Sequence, residues 1–432
     1  VLLVDGVETV DWSNDHRIDN GRGGTNSILH VKGIRVVGGL DISVEEYGET
    51  WQIKSPGSDS LIVLLDHSLI AVKNLNSGNF QFKLPPSNQI KGRHHLRIWA
   101  QNRSQRSFEL LVPLENGRPV ISPEQLDRHD WHTVVMYNIF VDRFFNGDTL
   151  NDQPNAEKDI HPRANHHGGD IVGAIDKLEA GYFDTLGINT LWISPIVKNT
   201  RGAYGRYPTP NTRFSAYHGY WPISFTAVDE RLTTENELRQ LVSRAHEMEC
   251  NVLLDFIANH VHEEHPFYKQ NPEIATSLYL EDGSLNTEKW DEHRLTTWFD
   301  TFMPSLDLTN TGVADMLADS AVYWIENFDF DGFRHDATKH VPISFWRTLT
   351  RKLKERIVVS RNKPLYQIGE TYGTSELISN YLGNGLLDAQ FDFNLYDALV
   401  RTLVQRESFK NIENEVENSL KSYGDHHLMG NI

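Results

Sequence analysis

Gly332-Phe333-Arg334-His335-Asp336-Ala337-Thr338-Lys339-His340 is the stretch on which the reading of this chain turns. An apolar run from Phe328 to Phe333, broken by Asp and Gly, leads into it as a strand. Along an extended strand residues i and i+2 face one side. Arg334 and Asp336 therefore point together, the cation holding the carboxylate ionised and oriented. Such a carboxylate suits the role of nucleophile. The same pair also reads as a strand-end salt bridge with no chemistry. The choice depends on where the stretch sits in the chain.

Working outward, residues 126–432 alternate strands with helices. Strands are expected at Val134–Val141, Thr190–Ser194, Asn251–Ile257, Gly332–Asp336, Leu365–Gly369, Leu387–Phe391 and Leu428–Ile432. Between them, a helix is expected from Thr234 to Met248, where Thr234 and Glu237 have capping-box spacing and Leu238, Leu241, Val242 and Ala245 make one apolar stripe. Another is expected from Val313 to Asn327. Alternating elements imply a parallel sheet. Seven strands in sequence point to an α/β fold of the (β/α)8 TIM-barrel type, incomplete here and cut before strand 8, rather than to a doubly wound sheet. Such barrels carry their chemistry at the C-terminal ends of the strands. Asp255 to His260, Arg334 to His340, and Glu370 fall at those ends. Residues 261–304, between the third strand and its helix, form a long excursion with few regular signals, which reads as functional or as a small domain of its own.

Residues 1–125 read as an all-β sandwich domain, with strands expected at Ser27–Val37, Thr50–Ser55, Ser60–Leu65, Phe80–Leu84, Leu96–Ala100 and Phe108–Val112 between Gly/Pro/Asn/Ser turns. It is expected to serve packing or oligomerisation, or to bind carbohydrate. The net charge of −18 argues against nucleic acid or an anionic membrane surface as partner. No apolar run is long enough for a membrane span. Cys250 is the only cysteine, so an intramolecular disulfide is impossible and a thiolate metal cluster is not expected. The chain begins at Val1 without a charged start and apolar stretch, so a signal peptide is expected to be absent or removed.

Six segments, in order and spacing, resemble the α-amylase family, glycoside hydrolase family 13. They are Gly187 to Pro195, Tyr217-His218-Gly219-Tyr220-Trp221, Asp255-Phe256-Ile257-Ala258-Asn259-His260, Met303-Pro304-Ser305-Leu306-Asp307, Gly332 to His340, and Gly369-Glu370. The resemblance runs from about residue 130 to the end. It implies that Asp336 is the nucleophile and Glu370 the general acid, then base. Arg334 and Asp255 belong to the same substrate-binding set. It further implies that His260 and His218 hydrogen-bond the cleaved sugar and Tyr220 stacks on it, with Trp221 adding stacking. Lys339 and His340 would contact the sugar on the leaving side. The chemistry needs two carboxyls roughly 5–5.5 Å apart, one ionised and one protonated. Glu370 has no cation beside it in sequence, and a less polar setting would raise its pKa as an acid requires.

Asn146-Gly147-Asp148-Thr149-Leu150-Asn151-Asp152 and Gly168-Gly169-Asp170 offer side-chain oxygens and a glycine carbonyl for a hard cation, and calcium takes six to eight oxygens. The alternative is a pair of Asn/Gly/Asp turns. Cyclodextrin-processing members of the family show the same spacing at a calcium site, which implies Ca2+ held by Asn146, Asp148, Asn151, Asp152, Gly168 and Asp170. A second calcium site of many α-amylases would use Asn259, but Ser305 stands where that site has an Asp, and it is not expected here. The family's third carboxylate, an Asp after the seventh strand, is expected beyond Ile432. Asp425-His426-His427 precede that strand and are expected to be loop residues. The resemblance implies a retaining hydrolase of α-1,4 linkages in starch, maltooligosaccharides or cyclodextrins. The alternatives are an α-glucan transglycosylase, or a non-catalytic glucan-binding relative if the chain ends at residue 432. A homodimer through the N-terminal domain and a periplasmic or secreted location are further expectations.

Overall fold

The computed structural model describes residues 39–432 except 67, 77, 87, 88, 210, 424–427, 431 and 432, together with the backbone of short strands within residues 2–38. For Leu428–Gly430 the backbone alone is described. The chain forms two compact units, Val1–Pro119 and Val120–Ile432.

The first unit is built from antiparallel pairs. In one sheet Val72–Asn76, Asn79–Phe82, Trp51–Lys54 and Ser43–Glu46 pair in that order. In the other, Arg93–Gln101 lies between Ser60–Leu65 and Leu110–Glu115. Alternating side chains turn Leu61, Val63 and Leu65 inward. There, Val63, Leu96 and Ile98 pack with Trp51, Ile53, Phe80 and Phe82 of the facing sheet. Most of the strand expected at Ser27–Val37 lies outside the described residues.

The second unit holds seven parallel strands, each paired to the next in chain order: β1 (Met136–Ile139), β2 (Thr190–Ile193), β3 (Asn251–Phe256), β4 (Gly332–His335), β5 (Tyr366–Gly369), β6 (Ala389–Phe391) and β7 (Leu428–Gly430). Pairing in chain order means every crossover runs the same way, as in a barrel and unlike a doubly wound sheet, whose order reverses at a switch point. Asp425-His426-His427 lie outside the described residues. The main helices are α1 (Ile171–Glu179), α2 (Glu235–Glu247), α3 (Thr311–Phe328), α4 (Ile343–Leu353), α5 (Phe393–Leu399) and α6 (Lys410–Tyr423). The Thr234–Glu237 capping box forms in full at the start of α2. Asn310 caps α3, and Asp329 in the left-handed region ends it. α4 and α5 each run on into a π-helical turn, Lys354–Val359 and Val400–Val404, which sequence periodicity did not indicate.

β3 is buried at every position. Val252 and Leu254 face the helix layer, and Leu253 joins Tyr366, Ile368, Ala389 and Phe391 in a separate core. The same two-residue period turns Asp255 in β3 and Arg334 in β4 toward that inner side, since Phe333 packs with the helices. The chain leaves β3 and comes back along an antiparallel bridge between His260 and Ser305. The β2–α2 connection carries a hairpin, Tyr204–Pro208 with Asn211–Phe214. Ala216 and Trp221 from this connection pack with Phe302 and Met303 from the excursion.

Gly332 has φ +149°, and a Cβ there would sit 1.8 Å from the Tyr366 carbonyl oxygen. β4 and β5 approach so closely that only glycine fits. Gly332→Ala is expected to cost more than about 2 kcal/mol of folding stability, read as a lower denaturation midpoint. An unchanged midpoint would contradict this packing.

Candidate active site

The Arg334 guanidinium joins three carboxyl groups at the strand ends. Its Nη1 donates to Asp255 Oδ1 and Oδ2 (2.8 and 2.9 Å) and to Asp336 Oδ1 (2.9 Å), and its Nη2 donates to Glu370 Oε2 (2.6 Å). Asp255 and Arg334 are register partners across β3 and β4. His335 pairs with Gly369, so Glu370 lies one residue beyond. After Asp336 the chain turns at Ala337, whose φ of +47° is a strained value for a residue with a Cβ. That turn aims the Ala337 N–H at Glu370 Oε2 (3.2 Å).

Asp255 was expected to contact substrate. Its side chain is fully buried and accepts from Arg334, from Tyr220 Oη (2.8 Å) and from Trp192 Nε1 (2.9 Å). It anchors the guanidinium and the tyrosine. Trp192 was not singled out from the sequence. Its ring also lies 4.8 Å from the Arg334 guanidinium carbon, a cation–π contact. Its position inside the Gly187–Pro195 segment was the available signal.

The protonation pattern differs from the expectation in two ways. Arg334 was expected to hold Asp336 ionised. Burial instead pushes the Asp336 carboxyl up to about 8, the negative charges of Glu370 and Asp255 add to the rise, and Arg334 opposes it. Burial raises Asp255 as well, against Arg334. Arg334 does not offset the burial of both groups, so a proton stays on the Asp255–Asp336 pair at neutral pH. Glu370 has no cation adjacent in sequence and was expected in a less polar setting. The Nη2 of Arg334 reaches it across the β4–β5 gap, a contact between residues 36 positions apart in the chain.

His260 and His340 are lowered to about 4 and His218 to about 3, burial being the main cause, so all three are neutral at pH 7. His260 Nε2 donates to the Tyr220 carbonyl (3.0 Å), which leaves its buried Nδ1 as an unpartnered acceptor. His218 Nδ1 accepts from the Tyr220 N–H (3.0 Å). Trp221, expected as a stacking surface, is 7% exposed, with His218, Tyr204 and Phe302 around its ring. It belongs to the aromatic core that joins the two long connections. Lys339 Nζ lies 3.2 Å from Asp291 of the excursion. The His340 ring packs edge-on to Trp290 and Phe299.

The second candidate cluster lies between β1 and α1. Asp170 caps α1, and its carboxylate accepts from the N–H groups of Gly147, Asp148 and Gly173 and from the Asn151 amide. Asp148 Oδ1 accepts from the Leu150 N–H. The Asn146 amide nitrogen donates to Asp152. The amide oxygens of Asn146 and Asn151 are buried without a donor. Gly168, at φ +86°, forms a cradle in which a Cβ would meet Asp152 Oδ1 at 2.0 Å. Among the described residues no three His, Cys, Asp or Glu side chains converge as a metal-binding group. A cation here would depend on amide and carbonyl oxygens, which suits a hard ion such as calcium. At the other candidate position the Asn259 amide donates to the His340 carbonyl (3.0 Å), and the Ser305 hydroxyl lies 3.3 Å from Asn259 Oδ1.

Residues 138–429 match the family described as the α-amylase catalytic domain, and the chain belongs to that family. Alpha-amylase 2 of Dictyoglomus thermophilum is 26% identical over 353 residues, covering 80% of this chain and 54% of that protein. A cyclomaltodextrin glucanotransferase of Bacillus sp. (strain 1011) is 28% identical over 289 residues, covering 61% of this chain and 39% of that protein. Among solved structures, the α-amylase of Geobacillus thermoleovorans complexed with acarbose aligns at TM-score 0.56 and 29% identity, over 70% of this chain and 61% of that one. A cyclomaltodextrinase aligns at TM-score 0.56 over 90% of this chain and 69% of that one, at 22% identity, which is a likeness of fold. The chain spans about half the length, or less, of the curated relatives named.

Because burial lifts Asp336 above the unfolded carboxyl value of about 4, the folded chain keeps a proton where the unfolded chain has lost it. Stability from this group is full at low pH and is lost as pH rises through about 8. Asp336→Asn removes that dependence. Its melting temperature is therefore expected to gain on the parent's between pH 5 and pH 8. A gap that shrinks over this range would mean that Arg334 outweighs burial.

Proposed function

We propose that this chain is the catalytic part of a retaining glycoside hydrolase acting on α-1,4-glucosidic bonds of starch, maltooligosaccharides or cyclodextrins. The observation that carries the reading is one buried guanidinium shared by Asp336 and Glu370 at the ends of neighbouring strands. It brings two carboxyls together within a cluster that keeps a proton, the combination a double displacement requires.

In this reading the proton held by the buried carboxyls resides on Glu370 in the substrate complex, which leaves Asp336 ionised to attack the anomeric carbon and form a glycosyl ester while Glu370 protonates the departing glycosidic oxygen. Glu370 then takes a proton from water, which attacks the same carbon and releases Asp336. Glu370 is the more solvent-accessible of the two, with 34% of its side chain exposed against 12% for Asp336. That suits the group that must exchange protons with water. His260 is neutral beside the cleaved sugar, and Lys339 and His340 lie on the leaving side. Cyclomaltodextrin glucanotransferases among the relatives favour a second reading, in which a sugar hydroxyl replaces water in the second step. Product analysis with excess maltose as acceptor separates the two.

Calcium, if bound, would be held by the free amide oxygens of Asn146 and Asn151, the Asp152 carboxylate and the Gly168 carbonyl, with Asp148 and Asp170 supplying further charge. It would neutralise the acidic loop after β1 and would take no part in bond breaking. An extracytoplasmic location fits a polymeric substrate, and no helix among the described residues is long and apolar enough to cross a membrane.

Glu370→Gln is expected to lower turnover of starch by about 10²–10⁴-fold and to spare substrates whose leaving group needs no proton. Equal, near-normal turnover of both classes would sink the assignment. Chelation by EDTA is expected to lower the melting temperature, and added Ca2+ to restore it in a concentration-dependent way. No shift on chelation would remove calcium from this loop.

A further inference from the structure

We propose that Arg294 is the positioning residue of the leaving-group side of the cleft, a guanidinium clamp that fixes Lys339 and His340 for the part of a glucan beyond the scissile bond. The proposal rests on the glucan-cleaving reading above. Arg294 belongs to the excursion between β3 and α3, 45 residues before Lys339, and no motif singled it out.

Its Nη1 donates to the Lys339 carbonyl (2.6 Å) and to Tyr381 Oη (3.0 Å). The hydroxyl of fully buried Tyr381 donates in turn to the same carbonyl (3.2 Å). The backbone carbonyl of Arg294 accepts from His340 Nδ1 (2.8 Å). From the other side, the Asn259 amide holds the His340 carbonyl. Both carbonyls of the 339–340 pair, and the His340 ring, are thus gripped from three separate parts of the chain.

The local structure is too short to provide that grip. Thr338–His340 is one 3₁₀ turn, closed by the His340 N–H on Ala337 O and the Val341 N–H on Thr338 O. A charged donor on a buried carbonyl is among the stronger hydrogen bonds. Arg294 touches neither Asp336 nor Glu370. Its effect should therefore appear where substrate binding needs Lys339 and His340. With Nδ1–H committed to Arg294, neutral His340 keeps Nε2 as an acceptor for a sugar hydroxyl.

The test compares Arg294→Met with the parent on maltoheptaose, which fills the leaving side, and on α-maltosyl fluoride, whose leaving group is a single atom. The loss of kcat/KM on maltoheptaose is expected to exceed that on α-maltosyl fluoride by about tenfold, with Arg294→Lys recovering part of it. Amide hydrogen exchange over residues 338–341 is expected to speed up in Arg294→Met. Equal losses on both substrates, no loss on either, or unchanged exchange would overturn the proposal. If Arg294→Met does not fold, Tyr381→Phe, which removes one of the two donors to Lys339 O, takes its place in both measurements. If the parent turns over neither substrate, the glucan-cleaving reading fails, and the exchange measurement still decides whether the clamp exists.

Discussion

One positive charge serves three carboxyl groups inside a mouth from which water is mostly excluded. Arg334 touches Asp255, Asp336 and Glu370 at once, and its own side chain is 6% exposed. Removing charges from water is costly unless each is paired, and here the pairing is incomplete by construction. The deficit becomes a retained proton. Which oxygen bears it is a property of the cluster. The arrangement requires β3, β4 and β5 in one register, since a slip of a single residue would turn each side chain to the opposite face. Gly332, which alone permits the close approach to Tyr366, helps to hold that register.

Around this centre the two long connections act as walls. Trp221 and Phe302 come from different connections and meet in one small core. The excursion starts and ends at the His260–Ser305 bridge. Burial in these walls keeps His218, His260 and His340 neutral, so they offer fixed acceptors instead of charges.

The barrel strands were legible because parallel strands buried on both sides read as short apolar runs between turn signals. The α2 capping box was legible because its logic is local. Asp336 and Arg334 were legible as neighbours through the two-residue period alone. Asp255 and Trp221 were recognised as residue types in motifs, but their burial was not. Burial depends on what packs from elsewhere, and in both cases that came from segments distant in sequence. Tyr381 and Arg294 lacked a signal for the same reason.

Sequence alone determined the succession of strands, the shared direction of Arg334 and Asp336, and the identity of the polar groups at the strand ends. These follow from periods of two and 3.6 residues and from short-range capping. Tertiary structure decided how protons and contacts are shared among those groups. Burial, not the adjacent arginine, governs Asp336, and a guanidinium reaching between strands contacts Glu370. Desolvation and through-space charge depend on distances between residues tens of positions apart, and no local pattern encodes those distances.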